Sequence, residues 1–175
     1  MRGIAIVLVL SYLFVGCATT MPDRIIKLEA FDLRGKKVVI IPFEIDSAIV
    51  SEVNLEFANE LGNEIALDLR SLLYQKGYKN ITVDGGELYG DYLIRGKITE
   101  VSGGNKHQRV WLGFGYGGTV VAVRGEIYDR SMNKTVFDFN ITKQSNWTYS
   151  DNEAAVRENI HEIAKEIIAS AIEKK

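Results

Sequence analysis

The chain has 175 residues with 21 basic and 23 acidic side chains, a formal net charge of −2 that offers nucleic acid no bulk attraction. Hydrophobic residues make up 46% and prolines number 2, which supports a real core and argues against disorder. The length fits one domain, and the 1 cysteine excludes an intrachain disulfide.

At the start, Arg2 precedes an apolar run from Ile4 to Val15, followed by Gly16 and Cys17. The run is shorter than the about twenty residues a membrane-crossing helix needs, and its flanks are those of a secretory signal. The stretch Phe14-Val15-Gly16-Cys17 resembles a bacterial lipobox, with Phe14 standing where Leu is usual. That resemblance implies a lipoprotein signal peptide at 1–16, lipidation at Cys17, and a lipidated N-terminus and tether over 17–35. Each buried methylene contributes about 0.8 kcal/mol, so the several acyl chains of such a cysteine imply permanent attachment. Ala18, where Asp would imply inner-membrane retention, implies the outer membrane, facing the periplasm. Residues 36–175 are then expected to form a single periplasmic α/β domain.

Within that domain Lys37–Phe43 is a short β-branched run ended by Pro42, expected as a buried strand. Phe57, Leu61, Ile65, Leu69 and Leu72 recur every three or four residues and make one apolar stripe on a helix. Gly77 suits the left-handed position that ends it, and Gly62 inside the stripe suggests close packing on a sheet. "NITVDGG" from Asn80 gives a short strand and turn. "DYLIRGKITEV" places Tyr92, Ile94, Gly96 and Ile98 on one face and Arg95, Lys97 and Thr99 on the other. "TVVAVRGEIYD" groups Val121, Val123, Gly125 and Ile127, and "TVFDFNITKQ" groups Phe137, Phe139 and Ile141 opposite Asp138, Asn140 and Thr142. Between the last two, "DRSMNK" reads as a hairpin turn with Asn133 able to turn left-handed. A second helix follows, with Ser150 and Glu153 in capping-box spacing and a stripe of Val156, Ile160, Ile163, Ile167 and Ala171. The expected fold is α/β, a two-layer sandwich with two helices on one face of a mostly antiparallel or mixed sheet of four to five strands.

Chemistry is scarce in this pattern. "RVWLGFGYGG", Arg109 to Gly118, formally contains G-x-G-x-x-G at Gly113, Gly115 and Gly118. A dinucleotide site needs a helix opening directly after the glycines, to aim its N–H groups at the pyrophosphate. Here a β-branched strand follows, so no nucleotide is expected. His107 and His161 belong to no ligand cluster, and Lys165 occupies the i+4 position from His161; no metal and no cofactor are expected. Glu56, Glu60 and Glu64 at i, i+4 and i+8 read as a solvated helix face. No catalytic residue is assigned and no enzyme is expected. Trp111, Phe114 and Tyr116 among glycines have two readings. Either the glycines let strands approach closely, or the aromatics meet a protein partner or a membrane interface.

Taken together, "DYLIRGKITEVSGG" and "RVWLGFGYGGTVVAVRGEIYDRSMNKTVFDF" resemble a family of bacterial lipoproteins known as domain of unknown function 4410. The match rests on Arg109, Gly113, Phe114, Gly115, Gly117 and Asp129 and covers roughly Lys36 to Gln144; Asn133 stands where the family usually has Gly. A looser likeness links "KVVIIPFE", the first helix, "KGYKNITV" and "DYLIRGKIT" to periplasmic domains of the curli secretion channel lipoprotein and the penicillin-binding-protein activator lipoprotein. Both resemblances imply an envelope protein that works by binding. The expected function is a non-enzymatic accessory or assembly factor for another envelope component, anchored at Cys17. The alternative is a subunit of an oligomeric envelope pore or secretion complex, and third comes a cell-envelope enzyme. Arg109, Trp111, Gly113, Phe114, Gly115, Tyr116 and Gly117 form the expected interaction loop, with a protein partner or a second copy as its target.

Overall fold

The computed structural model describes residues 23–46, 55–84, 89–102, 118–145 and 152–172. Alternation of apolar and polar residues produces three long strands, β5 (Tyr92–Ser102), β6 (Thr119–Asp129) and β7 (Lys134–Ser145), which form an antiparallel meander. The apolar run at Val38 gives β2 (Val38–Ile40), buried throughout and parallel to β5. Beside it lies β4 (Ile81–Val83), also parallel to β2. Two short strands complete the sheet. β1 (Arg24–Lys27) pairs antiparallel with β7, and β3 (Glu44–Ile45) pairs parallel with β5 beyond the end of β2. The order across the mixed, seven-stranded sheet is β1-β7-β6-β5-β2-β4, with β3 off that path.

Two helices of 21 residues each, α1 (Leu55–Gln75) and α2 (Asn152–Ile172), cover one face of this sheet. α1 lies over β2, β3 and β4, α2 lies over β6 and β7, and the helices pack on each other. Leu61, Ile65, Leu69 and Leu73 of α1 are buried, as are Val156, Ile160, Ile163, Ile167 and Ala171 of α2. Each such Leu, Ile or Val contributes about 1.5–3 kcal/mol by leaving water. The α1 stripe continues through Leu73, while Leu72 is only partly buried; steps of four residues carry it one position further than expected. Gly77 (φ 92°) ends α1 in the left-handed conformation, with Tyr78 N donating to Leu73 O at 3.1 Å and Gly77 N to Tyr74 O at 2.9 Å.

A row of aromatics runs through the core. Phe31, Phe137 and Phe139 follow one another at centroid separations of 6.2 and 6.0 Å, with Phe43 6.3 Å beyond Phe139. Gly96 and Gly125 face each other across β5 and β6 under these rings. A Cβ on Gly96 would strike the Phe43 ring, and one on Gly125 would lie 2.5 Å from Phe139 Cζ. The paired glycines therefore make room for two phenyl rings.

Two expectations need correction. The sheet has seven strands rather than four to five, because β1 and β3 are too short to show alternation in sequence. Pro42 ends β2 early, and the chain resumes beside β5 as β3 after a backbone hydrogen bond from Phe43 N to Gly62 O at 3.1 Å. The span expected as tether, 17–35, enters the fold at Arg24: β1 lies on β7, and Leu33 is buried. Only two apolar residues, Ile25 and Ile26, mark that strand, and it is held chiefly by the edge that β7 offers.

Candidate functional site

The meander gathers three chain positions at one end of the sheet. Ser102 lies opposite Val120, and Thr119 lies opposite Ser145. β1 begins at the same end, with Arg24 opposite Asn140 and Thr142 N donating to Asp23 Oδ1 at 2.6 Å. α2 is fastened there too: Asn159 Nδ2 donates to Thr119 O at 3.2 Å, and Lys143 forms an ion pair with Glu166. The expected interaction loop, Arg109, Trp111, Gly113, Phe114, Gly115, Tyr116 and Gly117, lies outside the described residues, as do His107, Ser150 and Cys17. Its attachment points are described: the chain leaves after Ser102 and returns at Gly118, at this end.

The sheet face opposite the helices carries the polar side of the alternation. Ile41, Pro42, Glu44, Arg95, Lys97 and Arg124 help to line a concavity there of about 640 Å³. Arg95 donates through Nε to Glu126 Oε1 at 2.7 Å, and Thr135 Oγ1 donates to the other oxygen of the same carboxylate. Burial works against ionising Glu126, but the hydrogen bonds from Thr135 and Arg95 and the guanidinium charge outweigh it. Its carboxyl is held below the usual range, so at neutral pH it is an anion that accepts hydrogen bonds. Lys97 Nζ pairs with Glu44 Oε2 at 3.1 Å. Arg24, Asn140, Arg124 and Lys97 are successive cross-strand neighbours on β1, β7, β6 and β5, three of them cationic. Asp138 and Glu126 are neighbours in the adjacent row, followed by Arg95. Rows of unlike charge side by side suit recognition of a charged or polar surface.

The other end of the sheet is a structural cap. Asp129 is buried and accepts from Ser131 Oγ at 2.6 Å and Met132 N at 3.0 Å, closing the β6–β7 hairpin, where Asn133 takes φ 53°. Burial pushes the Asp129 carboxyl up, yet hydrogen bonds from Ser131, Met132 and Tyr92 more than reverse this and hold it below its ordinary value. The Tyr92 hydroxyl is pushed up to about 12 by burial and then by its hydrogen bond to Asp129. Asp129, part of the family pattern in the sequence, thus fixes a turn.

His161 sits on α2 with Nδ1 3.1 Å from Asp68 Oδ2 of α1. Glu60 is exposed and Glu64 partly so, as expected of a solvated face, and both also pair with Arg157 of α2, at 3.0 Å for Glu60. These pairs tie the helices together. Among the described residues no group of three or more His, Cys, Asp or Glu side chains is placed to hold a metal ion. The concavity on the open face was missed in sequence. Alternation places Arg95, Lys97, Thr99 and Asp138 outward, but cross-strand register, which makes neighbours of Arg124, Lys97 and Asn140, is written in no single strand.

A family model described as Domain of unknown function (DUF4410) matches residues 38–150, more than half of the chain. None of the curated proteins matches it significantly in sequence. Among solved structures, the PelC dodecamer from Paraburkholderia phytofirmans is 14% identical, with 88% of this chain and 99% of that chain covered and a TM-score of 0.58. Protein XCC0632 from Xanthomonas campestris is 9% identical, with coverage of 84% and 89% and a TM-score of 0.56. Lipoprotein GNA1162 from Neisseria meningitidis is 12% identical, with coverage of 78% and 99% and a TM-score of 0.44. At these identities the first two are similar to this chain in fold.

Proposed function

From the premise that the chain belongs to the DUF4410 family of domains of unknown function, we propose that it is a lipid-anchored protein of the bacterial envelope that works by binding, through self-association of its domain. The observation that carries this is the open sheet face: no described element covers the concavity over Arg95, Lys97, Arg124 and Glu126. Support comes from PelC, which shares the fold along nearly its whole length and whose solved form is a dodecamer. Anchorage at Cys17 is supported by the lipobox of the sequence and puts the domain in the periplasm beneath the outer membrane. No helix among the described residues is long and apolar enough to cross a membrane.

A second reading, an accessory factor for a foreign envelope component, uses the same face. Its charged residues fit another protein as well as a second copy. Light scattering of the acylated protein in detergent separates the two. Self-association predicts a mass that is a multiple of the protomer, and Trp111 replaced by a photo-crosslinking residue predicts adducts at multiples of its own mass. A monomer at every concentration, with one discrete foreign adduct in the host, would replace self-association by the accessory role.

A further inference from the structure

At the end of the sheet where β2, β4 and β5 begin, two turns meet. One, residues 33–36, is closed by Lys36 N donating to Leu33 O at 3.2 Å and bends at Gly35, φ 69°. The other, residues 76–80, leaves α1 through Gly77. Val38 N, donating to Asn80 O at 2.9 Å, holds the two side by side. Between them lies a concavity of about 410 Å³ whose lining includes Arg34, Lys36, Lys76 and Lys79 and no carboxylate. We propose that this concavity binds a multivalent phosphate group, a phosphate monoester or a pyrophosphate. No residue lining it also lines the concavity of the open face, so this site and self-association stand or fall separately.

Four cations on two adjoining turns repel one another, although the chain has 23 acidic side chains that could offset them. Several other lysines find such partners: Lys97 pairs with Glu44, Lys134 with Glu29 and Lys165 with Glu162. Of the four here, Arg34 is paired, through Nε and one Nη to Asp32 at 3.0–3.1 Å. That contact steadies the guanidinium and leaves its other Nη. Among the described residues no carboxylate pairs with Lys36, Lys76 or Lys79. Nor are the lysines needed to cap α1. The carbonyls of Leu72, Leu73 and Tyr74 accept from the backbone N–H groups of Lys76, Tyr78 and Gly77. A cleft lined by one sign of charge concentrates its counter-ion. A carboxylate would bring a single charge. A phosphate monoester brings about −1.5 to −2 at neutral pH and three acceptor oxygens, enough to engage cations from both turns at once. At about 30 Å³ per water the space equals roughly a dozen waters, so a phosphoryl group enters with part of its substituent.

The test uses the full chain in dodecylmaltoside micelles, with binding followed by the amide signals of Gly35 and Gly77 in heteronuclear NMR. Sodium pyrophosphate is titrated in one arm, and micelles doped with phosphatidic acid are added in the other. Saturable shifts of both signals are expected. Saturation by pyrophosphate supports a soluble phosphate as the ligand, and saturation by phosphatidic acid alone supports a lipid headgroup. Lys36→Gln with Lys79→Gln should weaken binding about tenfold or more, while Lys36→Arg with Lys79→Arg should keep it. Lys36 and Lys79 are exposed, so neither pair of changes disturbs the core. Lys143→Gln with Lys165→Gln removes the same charge from the surface shared by β7 and α2, and should leave binding within about twofold. Absence of a saturable shift with both probes overturns the site. Equal weakening by the two glutamine pairs overturns it as well, because it marks general attraction to the protein's surface.

Discussion

Gly62 sits in the middle of α1, where alanine would ordinarily be better by about 1 kcal/mol. Here a Cβ would collide with the carbonyl oxygen of Phe43, the residue whose N–H donates to Gly62 O. Backbone cannot move aside as a side-chain tip can, so Gly62→Ala should cost roughly 1–3 kcal/mol, the range of overpacked cores. Urea denaturation reads the sign directly, and a stabilised variant would contradict the packing described. The Tyr92–Asp129 contact makes a different residue-scale prediction. Tyr92 ionises near its ordinary value of 10.0 in the unfolded chain and at about 12 in the fold. Between those values the unfolded state has lost a proton that the fold retains, so stability falls as pH rises, by about 2–3 kcal/mol in all. Asp129 acts at the other extreme: its depressed carboxyl adds stability above its ordinary 3.8 that is lost as pH falls through the folded value. Tyr92→Phe should flatten the alkaline loss relative to the parent in pH-dependent melting. A parallel decline in both would mean that other tyrosines carry it.

Among the elements, β1 has the least sequence signal and a large structural effect. It covers β7 only from Phe137 to Asn140, yet it closes the edge next to two buried phenylalanines. A chain starting at residue 29 should lose stability and associate through the bared edge of β7, seen as a lower melting temperature and a concentration-dependent mass. The helices, the meander and the hairpin were legible because each is long and strictly periodic. Phe137, Phe139 and Ile141 point inward by alternation alone. β1 and β3, of four and two residues, lie below the length at which a period can be read. The contacts that bind α1 to α2, Arg157 to Glu60 and Glu64, were invisible for another reason: they join residues nearly a hundred positions apart. The candidate interaction loop was legible only as composition, since glycine and aromatic content names no partner.

As a whole, the molecule is a one-sided sandwich, with helices on one face and charge on the other. If copies meet through the open face, Lys97→Glu with Arg124→Glu should abolish association while changing fold stability by less than about 1 kcal/mol. The only described pair lost, Lys97 with Glu44, is exposed and of small worth. Light scattering and melting on the same sample separate the two effects, and unchanged association would move the interface elsewhere. β1 carries a further consequence, a mechanical one. A pull on the chain ahead of Asp23 would enter the fold along the axis of β1. Because β1 lies alongside β7, that pull acts on their hydrogen bonds in parallel rather than opening them one by one. Leu28 N and Glu29 N, both bonded to Val136 O at 2.9 and 3.2 Å, share it at the far end. Four residues that look like the tail of a linker form the joint between the sheet and the chain that precedes Asp23.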